Sequence, residues 1–156
     1  MTEKENLLRE LAEQEKELVF DSFSNEDAYL LGTLLYRKAK EADLPVAIDI
    51  TRSGQVLFHA GLNGSSPDND AWIRRKINTV MRFGHASYYM ATELAAEGAT
   101  IESKYLLDRG EFAPFGGGFP IIIKETGIVG AITVSGLADY DDHGLVVSAI
   151  REFLKK

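Results

Sequence analysis

Two segments with period-two patterning, each turning back at a glycine, dominate the reading of this chain. In VAIDITRSGQVLFHAG (46–61), Val46, Ile48 and Ile50 alternate with Ala47, Asp49 and Thr51, so one face is apolar and the other more polar. Ser53-Gly54 supplies the turn between its two runs. In IIIKETGIVGAITVSGL (121–137) the turn falls at Glu125-Thr126-Gly127. Sequential hairpins favour antiparallel pairing, and the helices between them must cover the sheet. An α+β sandwich is therefore expected.

The remaining segments carry helical signals. Leu7, Leu8, Leu11, Leu18 and Val19 share one stripe over the first twenty residues, and Asp21-Ser22-Phe23 ends it. Ser24, with Asp27 three places on, forms a variant capping box. The helix it opens should run to about Asp43, bury Leu30, Leu31, Leu34 and Leu35, and stop before Pro45. Ser66, Pro67, Asp68 and Asp70 form a second helix start, with a cap, a proline in the first turn and acids facing the dipole. This middle helix continues to about Phe83. Gly84 breaks it before a further piece, 85–97, that Gly98 terminates. Residues 103–107 read as a short edge strand, FAPFGGGFP as a loop, and Asp139 as the cap of a last helix through Leu154. No repeat or linker divides the chain, so residues 1–156 are expected to form a single domain.

Bulk charge narrows the partners. With 24 acidic against 17 basic residues the net charge is −7, which repels phosphate backbones, and no nucleic-acid partner is expected. No apolar stretch approaches the roughly 20 residues that span a bilayer, and MTEKENLLRE lacks the apolar region of a signal peptide. The expectation is no membrane association and a cytoplasmic location. Without cysteine there is no disulfide, thiolate metal site or cysteine nucleophile.

The middle helix holds the densest chemistry. Ile73, Ile77, Val80 and Met81 share the arc expected to pack on the sheet, while Arg74, Asn78 and Arg82 follow at four-residue steps with Arg75 beside them. Trp72, Lys76, Thr79 and Phe83 form a third arc. Guanidiniums so placed suit a carboxylate or phosphate, or alternatively a salt-bridged face between subunits. Gly116, Gly117 and Gly118, before Pro120, permit close backbone approach and could line an anion-binding nest, or simply form a tight turn feeding a strand. Their spacing is not that of a dinucleotide fingerprint. His59, His85 and His143 show no metal-ligand spacing. His59 and His85 rank as candidate metal ligands, and His143 is expected to be exposed in the first turn of the last helix. Ser135, Asp49 and Asp108-Arg109 carry no motif that would mark a nucleophile or base.

Taken together, LPVAIDITRSGQVLFHAGLNGSSPDNDAWIRRKINTVMRFGHASYYM and FGGGFPIIIKETGIVGAITVSGL give a chain that resembles the GlcG/HbpS-like haem-degrading domain family, most closely its uncharacterised branch, over about residues 5–154. The resemblance implies a profilin/PAS-like fold with a five-stranded antiparallel sheet and helices on its faces, and assembly into homo-oligomers. It also implies haem, a cobalamin-related ligand or iron as the bound group in other branches. One relative's link to a protein-targeting chaperone complex suggests a scaffold role.

The leading expectation is a small-ligand-binding homo-oligomer with a pocket between the middle helix and the glycine loop. Arg74, Arg75, Lys76 and Arg82 would neutralise the anionic groups of a small ligand or tetrapyrrole. The amides of Gly116, Gly117 and Gly118 would donate to it, and His59 or His85 would ligate a metal or haem iron. A non-catalytic scaffold contacting a protein through Trp72, Phe83 and the charged N-terminal helix is one alternative. An enzyme on a small acidic metabolite, with His59 as base, is another, and the catalytic residues stay open.

Overall fold

The computed structural model describes residues 1–155. The element order is α1 (Glu3–Glu17), α2 (Asn25–Glu41), β1 (Ala47–Arg52), β2 (Gln55–Gly61), α3 (Pro67–Phe83), α4 (Ser87–Glu97), α5 (Ile101–Tyr105), β3 (Gly118–Ile123), β4 (Gly127–Ser135) and α6 (Asp139–Leu154). Local chemistry sets several ends. At α2, Asp27 N donates to Ser24 Oγ at 3.0 Å and Ser24 N to Asp27 Oδ2 at 2.8 Å, which meets two backbone donors reciprocally. Gly84 and Gly98 close α3 and α4 in the left-handed conformation, where a Cβ is disfavoured.

The two hairpins form one antiparallel sheet in the order β2-β1-β4-β3. On one face Ile48, Ile50, Ile132 and Val134 join Leu31 and Leu35 of α2 and Val146 and Ile150 of α6 in a continuous buried core. On the other, α3 packs through Ile73 and Val80. Outside the strands, Phe20 N donates to Ile122 O at 2.8 Å and Lys124 N to Phe20 O at 2.9 Å, tying the α1–α2 connection to the β3 edge.

A bulge in the first hairpin positions the site. Ile50 pairs with Phe58 but Thr51 pairs with Val56, which leaves Leu57 unmatched. Val56 and His59 therefore share the α3-side face with Asp49 and Thr51. Phe58 points the other way, against Gly32 of α2.

Several expectations need correction. The sheet has four strands among the described residues, not five, because the expected edge strand at 103–107 is occupied by α5 and its exit. The reason is local: Ser103 N donates to Thr100 Oγ1 and Thr100 N to Ser103 Oγ, each at 2.9 Å, so a capping box closes a helical turn there. Leu30 is on the outer side of α2 and 42% exposed. The fourth helix begins at Ser87, leaving His85 in the connection, and Ala138 rather than Asp139 occupies the cap of α6. His143, expected at the surface, is buried.

Candidate functional site

Between α3 and the β1–β2 hairpin lies a groove of about 430 Å³ whose lining includes Asp49, Val56, His59, Asp70, Ile73, Arg74 and Ile77. The sheet supplies one wall and the first three turns of α3 the other. His59 spans the gap, with Nδ1 2.8 Å from Asp49 Oδ2 and Nε2 3.0 Å from Asp70 Oδ1. Asp49 is buried and also accepts a hydrogen bond from Thr51 Oγ1 at 2.5 Å. Partial burial pushes the His59 pKa down, but hydrogen bonds and charge from Asp49 and Asp70 outweigh it and hold the ring above the ordinary histidine value.

The expected cation cluster is divided. Arg74 faces this groove, exposed and without an ion pair or hydrogen bond among the described residues. Arg75 instead lies over the Trp72 ring at 4.2 Å and donates to the carbonyls of Ala71 and Arg109. Asn78 borders the groove but gives its amide N–H to Glu111 O at 2.8 Å. Arg82 is exposed in the last turn of α3, and no ion pair or hydrogen bond holds its side chain among the described residues.

Lys76 is inside the protein. Its Nζ donates to Val134 O at 3.0 Å and to Asp142 Oδ2 at 3.2 Å, and burial depresses its pKa despite the attraction of Asp142. The cleft between α3 and the glycine segment is lined by Asp68, Asp139 and Asp142 together with Trp72, Phe115 and Lys76, so the guanidiniums expected there are absent from it. The Gly118 amide donates to Ser87 Oγ at 2.8 Å, Gly117 O accepts from Val134 N at 3.0 Å, and the Gly116 amide serves the Asp139 carboxylate. These glycines are spent on close packing. A Cβ on Gly116 would overlap the Asp139 carbonyl, and one on Gly117 the Val134 carbonyl.

The other two histidines have contrasting surroundings. His85 Nδ1 lies 2.8 Å from Glu15 Oε1, the other oxygen of Glu15 accepts from Ala86 N at 3.0 Å, and the ring stacks on Tyr89 at 4.0 Å. The hydrogen bond to Glu15 raises its pKa more than partial burial lowers it. Because a carboxylate only accepts, Nδ1 carries the proton, and Nε2 has no partner among the described residues. His143 Nε2 meets Gln14 Oε1 at 2.7 Å while its buried Nδ1 has no hydrogen bond among the described residues, and burial pushes its pKa down to about 4. Among the described residues no group of three or more His, Cys, Asp and Glu could hold a metal ion. In the Asp49–His59–Asp70 chain both ring nitrogens are already bonded, so no donors converge on one point. The partners Glu15, Gln14 and Asp142 escaped sequence reasoning, and Asp70 was read only as an acid facing the dipole of the middle helix.

Fold and site together define an α+β sheet-and-helix protein with a groove at His59 and, among the described residues, a partly exposed imidazole at His85 whose Nε2 has no hydrogen bond. Residues 23–151 match the family described as haem degrading protein HbpS-like, and the chain belongs to that family. A UPF0303 protein of Streptomyces coelicolor is 52% identical over 93% of this chain and 92% of its own length. The Ybr137w crystal structure superposes with a TM-score of 0.88 at 38% identity, covering 95% of this chain and 87% of that one. A PduOC–haem complex superposes with a TM-score of 0.69 at 20% identity over 83% of this chain and 94% of its own, a likeness of fold alone. No helix among the described residues is long and apolar enough to cross a membrane.

Proposed function

We propose that the chain is a small-ligand-binding protein that takes an iron tetrapyrrole, with His85 as the axial nitrogen donor. The observation that carries this reading is the division of labour at His85: Nδ1 is held by the Glu15 carboxylate and Nε2 has no partner among the described residues. A carboxylate behind a ligating imidazole fixes its tautomer and orientation and raises its basicity. His59 fits less well because both its nitrogens are engaged. His143 fits less well because it is buried behind Gln14. Arg82, three residues before His85, is available to a propionate. Bound haem would supply an iron centre able to take small axial ligands or change oxidation state. The protein's own part is to hold the imidazole rigid through Glu15 and Tyr89.

Family membership and the fold shared with a haem complex support the reading. The test is a hemin titration followed by absorbance. A saturable Soret band near one haem per chain, lost in His85→Ala and retained in His59→Ala, is the expected result. A non-saturating, featureless change would remove haem from consideration. Self-association into a homo-oligomer belongs to the same reading, and sedimentation velocity tests it.

A further inference from the structure

The groove beside α3 carries an inference that goes beyond haem and does not depend on it. Each ring nitrogen of His59 lies within hydrogen-bond distance of a carboxylate oxygen. An ionised carboxylate only accepts, so two such contacts fit an imidazolium, with a proton on each ring nitrogen. In this state Asp70 is held by His59, and Arg74, one helical turn further on, has no partner among the described residues. Without its Nε2 proton, His59 would present a lone pair to the Asp70 oxygen. Asp70, half exposed, would then be repelled, and Asp followed by Arg at i, i+4 is a favourable pair on a helix. Nδ1–H would stay with Asp49, which is buried and further anchored by Thr51.

We propose that this groove binds a small monocarboxylate, with its head on Arg74 and its hydrocarbon tail against Val56, Ile73 and Ile77, and that protonation of His59 opens the site by keeping Asp70 off Arg74. A planar carboxylate matches the guanidinium fork. The apolar lining suits a short tail, and two carboxylates in the same groove disfavour a phosphate dianion. The charged groups facing His59 are Asp49 from β1 and Asp70 and Arg74 from α3. β2 has no other ionisable side chain, and Arg52 of β1 is turned away, donating to Phe23 O at 2.9 Å and Asn25 Oδ1 at 2.6 Å. The raised basicity of His59 moves the closing of the site to a higher pH than an ordinary histidine would give.

The test is a calorimetric titration with sodium butyrate at about pH 6 and about pH 9. Wild type, Arg74→Gln and Asp70→Asn are compared, with circular dichroism confirming each fold. Wild type should bind saturably at the lower pH and about fivefold more weakly at the higher, the scale of a partly exposed ion pair. Arg74→Gln should lose binding at both. Asp70→Asn should bind nearly alike at both, because the competing carboxylate is gone. No saturable binding by wild type, equal affinity at the two pH values, or an Asp70→Asn variant with the full pH dependence would each overturn the proposal.

Discussion

Lys76 Nζ lies 3.2 Å from Asp142 Oδ2 with both side chains buried, and this single ion pair joins the middle of α3 to the first turn of α6. Asp142 also accepts from the amides of Gly136 at 3.2 Å and Leu137 at 2.9 Å, so it gathers the end of β4, the start of α6 and α3 at one point.

Breaking that pair from one side leaves a buried charge uncompensated. Lys76→Met is expected to cost roughly 3–5 kcal/mol in urea unfolding. Burial pushes the Asp142 carboxyl up to about 6, against Lys76 and the two amides that pull it down. A carboxyl raised on folding favours the folded state below its unfolded pKa, and that contribution is lost as pH rises through the folded one. Removing Lys76 raises it further. The variant should therefore lose more stability at about pH 8 than at about pH 5.

His143 gives acid sensitivity of the opposite sign. Its pKa falls from 6.5 to about 4 on folding, so the neutral ring's contribution is full above 6.5 and is lost as pH falls from there through 4. The shift corresponds to roughly 3 kcal/mol. His143→Leu should flatten the dependence of unfolding midpoint on pH across that interval, whatever its effect at neutral pH. A variant with the wild-type slope would show that another group dominates acid unfolding.

Glu15 should matter to haem through His85 without touching it. Glu15→Gln is expected to weaken hemin binding by roughly tenfold, read from the Soret titration. Ligation needs an unprotonated Nε2, and Glu15 raises the His85 pKa. Affinity should accordingly fall as pH drops through that raised value, and the fall should shift to lower pH in Glu15→Gln.

Two glycines should respond in opposite directions to the same substitution. Gly116→Ala would drive a methyl into the Asp139 backbone, with an expected loss of about 2–3 kcal/mol. Gly144 lies exposed within α6 with open space where a Cβ would stand. Gly144→Ala should gain about 0.5–1 kcal/mol, and thermal melts of the two variants check both.

The readable parts of this chain are those whose cause lies within a few residues. The Ser24–Asp27 box, the glycine stops at Gly84 and Gly98, and the period-two runs each state their structure locally. The segment at 103–107 misled because its helix depends on a Thr100–Ser103 box that lacks the usual acidic or amide partner. On α3, helical periodicity placed Arg74 and Lys76 on separate arcs, but it could not say that one would face a groove and the other meet a buried carboxylate.

By itself the sequence determined the class of fold, the order of most elements and the membership of the family, because pattern period, caps and turns act over short range. Tertiary structure decided the site. Glu15 and His85 are 70 positions apart, Gln14 and His143 129, and Lys76 and Asp142 66. A one-residue bulge turned Val56 and His59 to the same face. Whether a side chain is a ligand, a buried counter-ion or a surface charge follows from burial and from the partner it meets. Those are settled only when distant segments pack, since desolvation and short-range charge act through space and not along the chain.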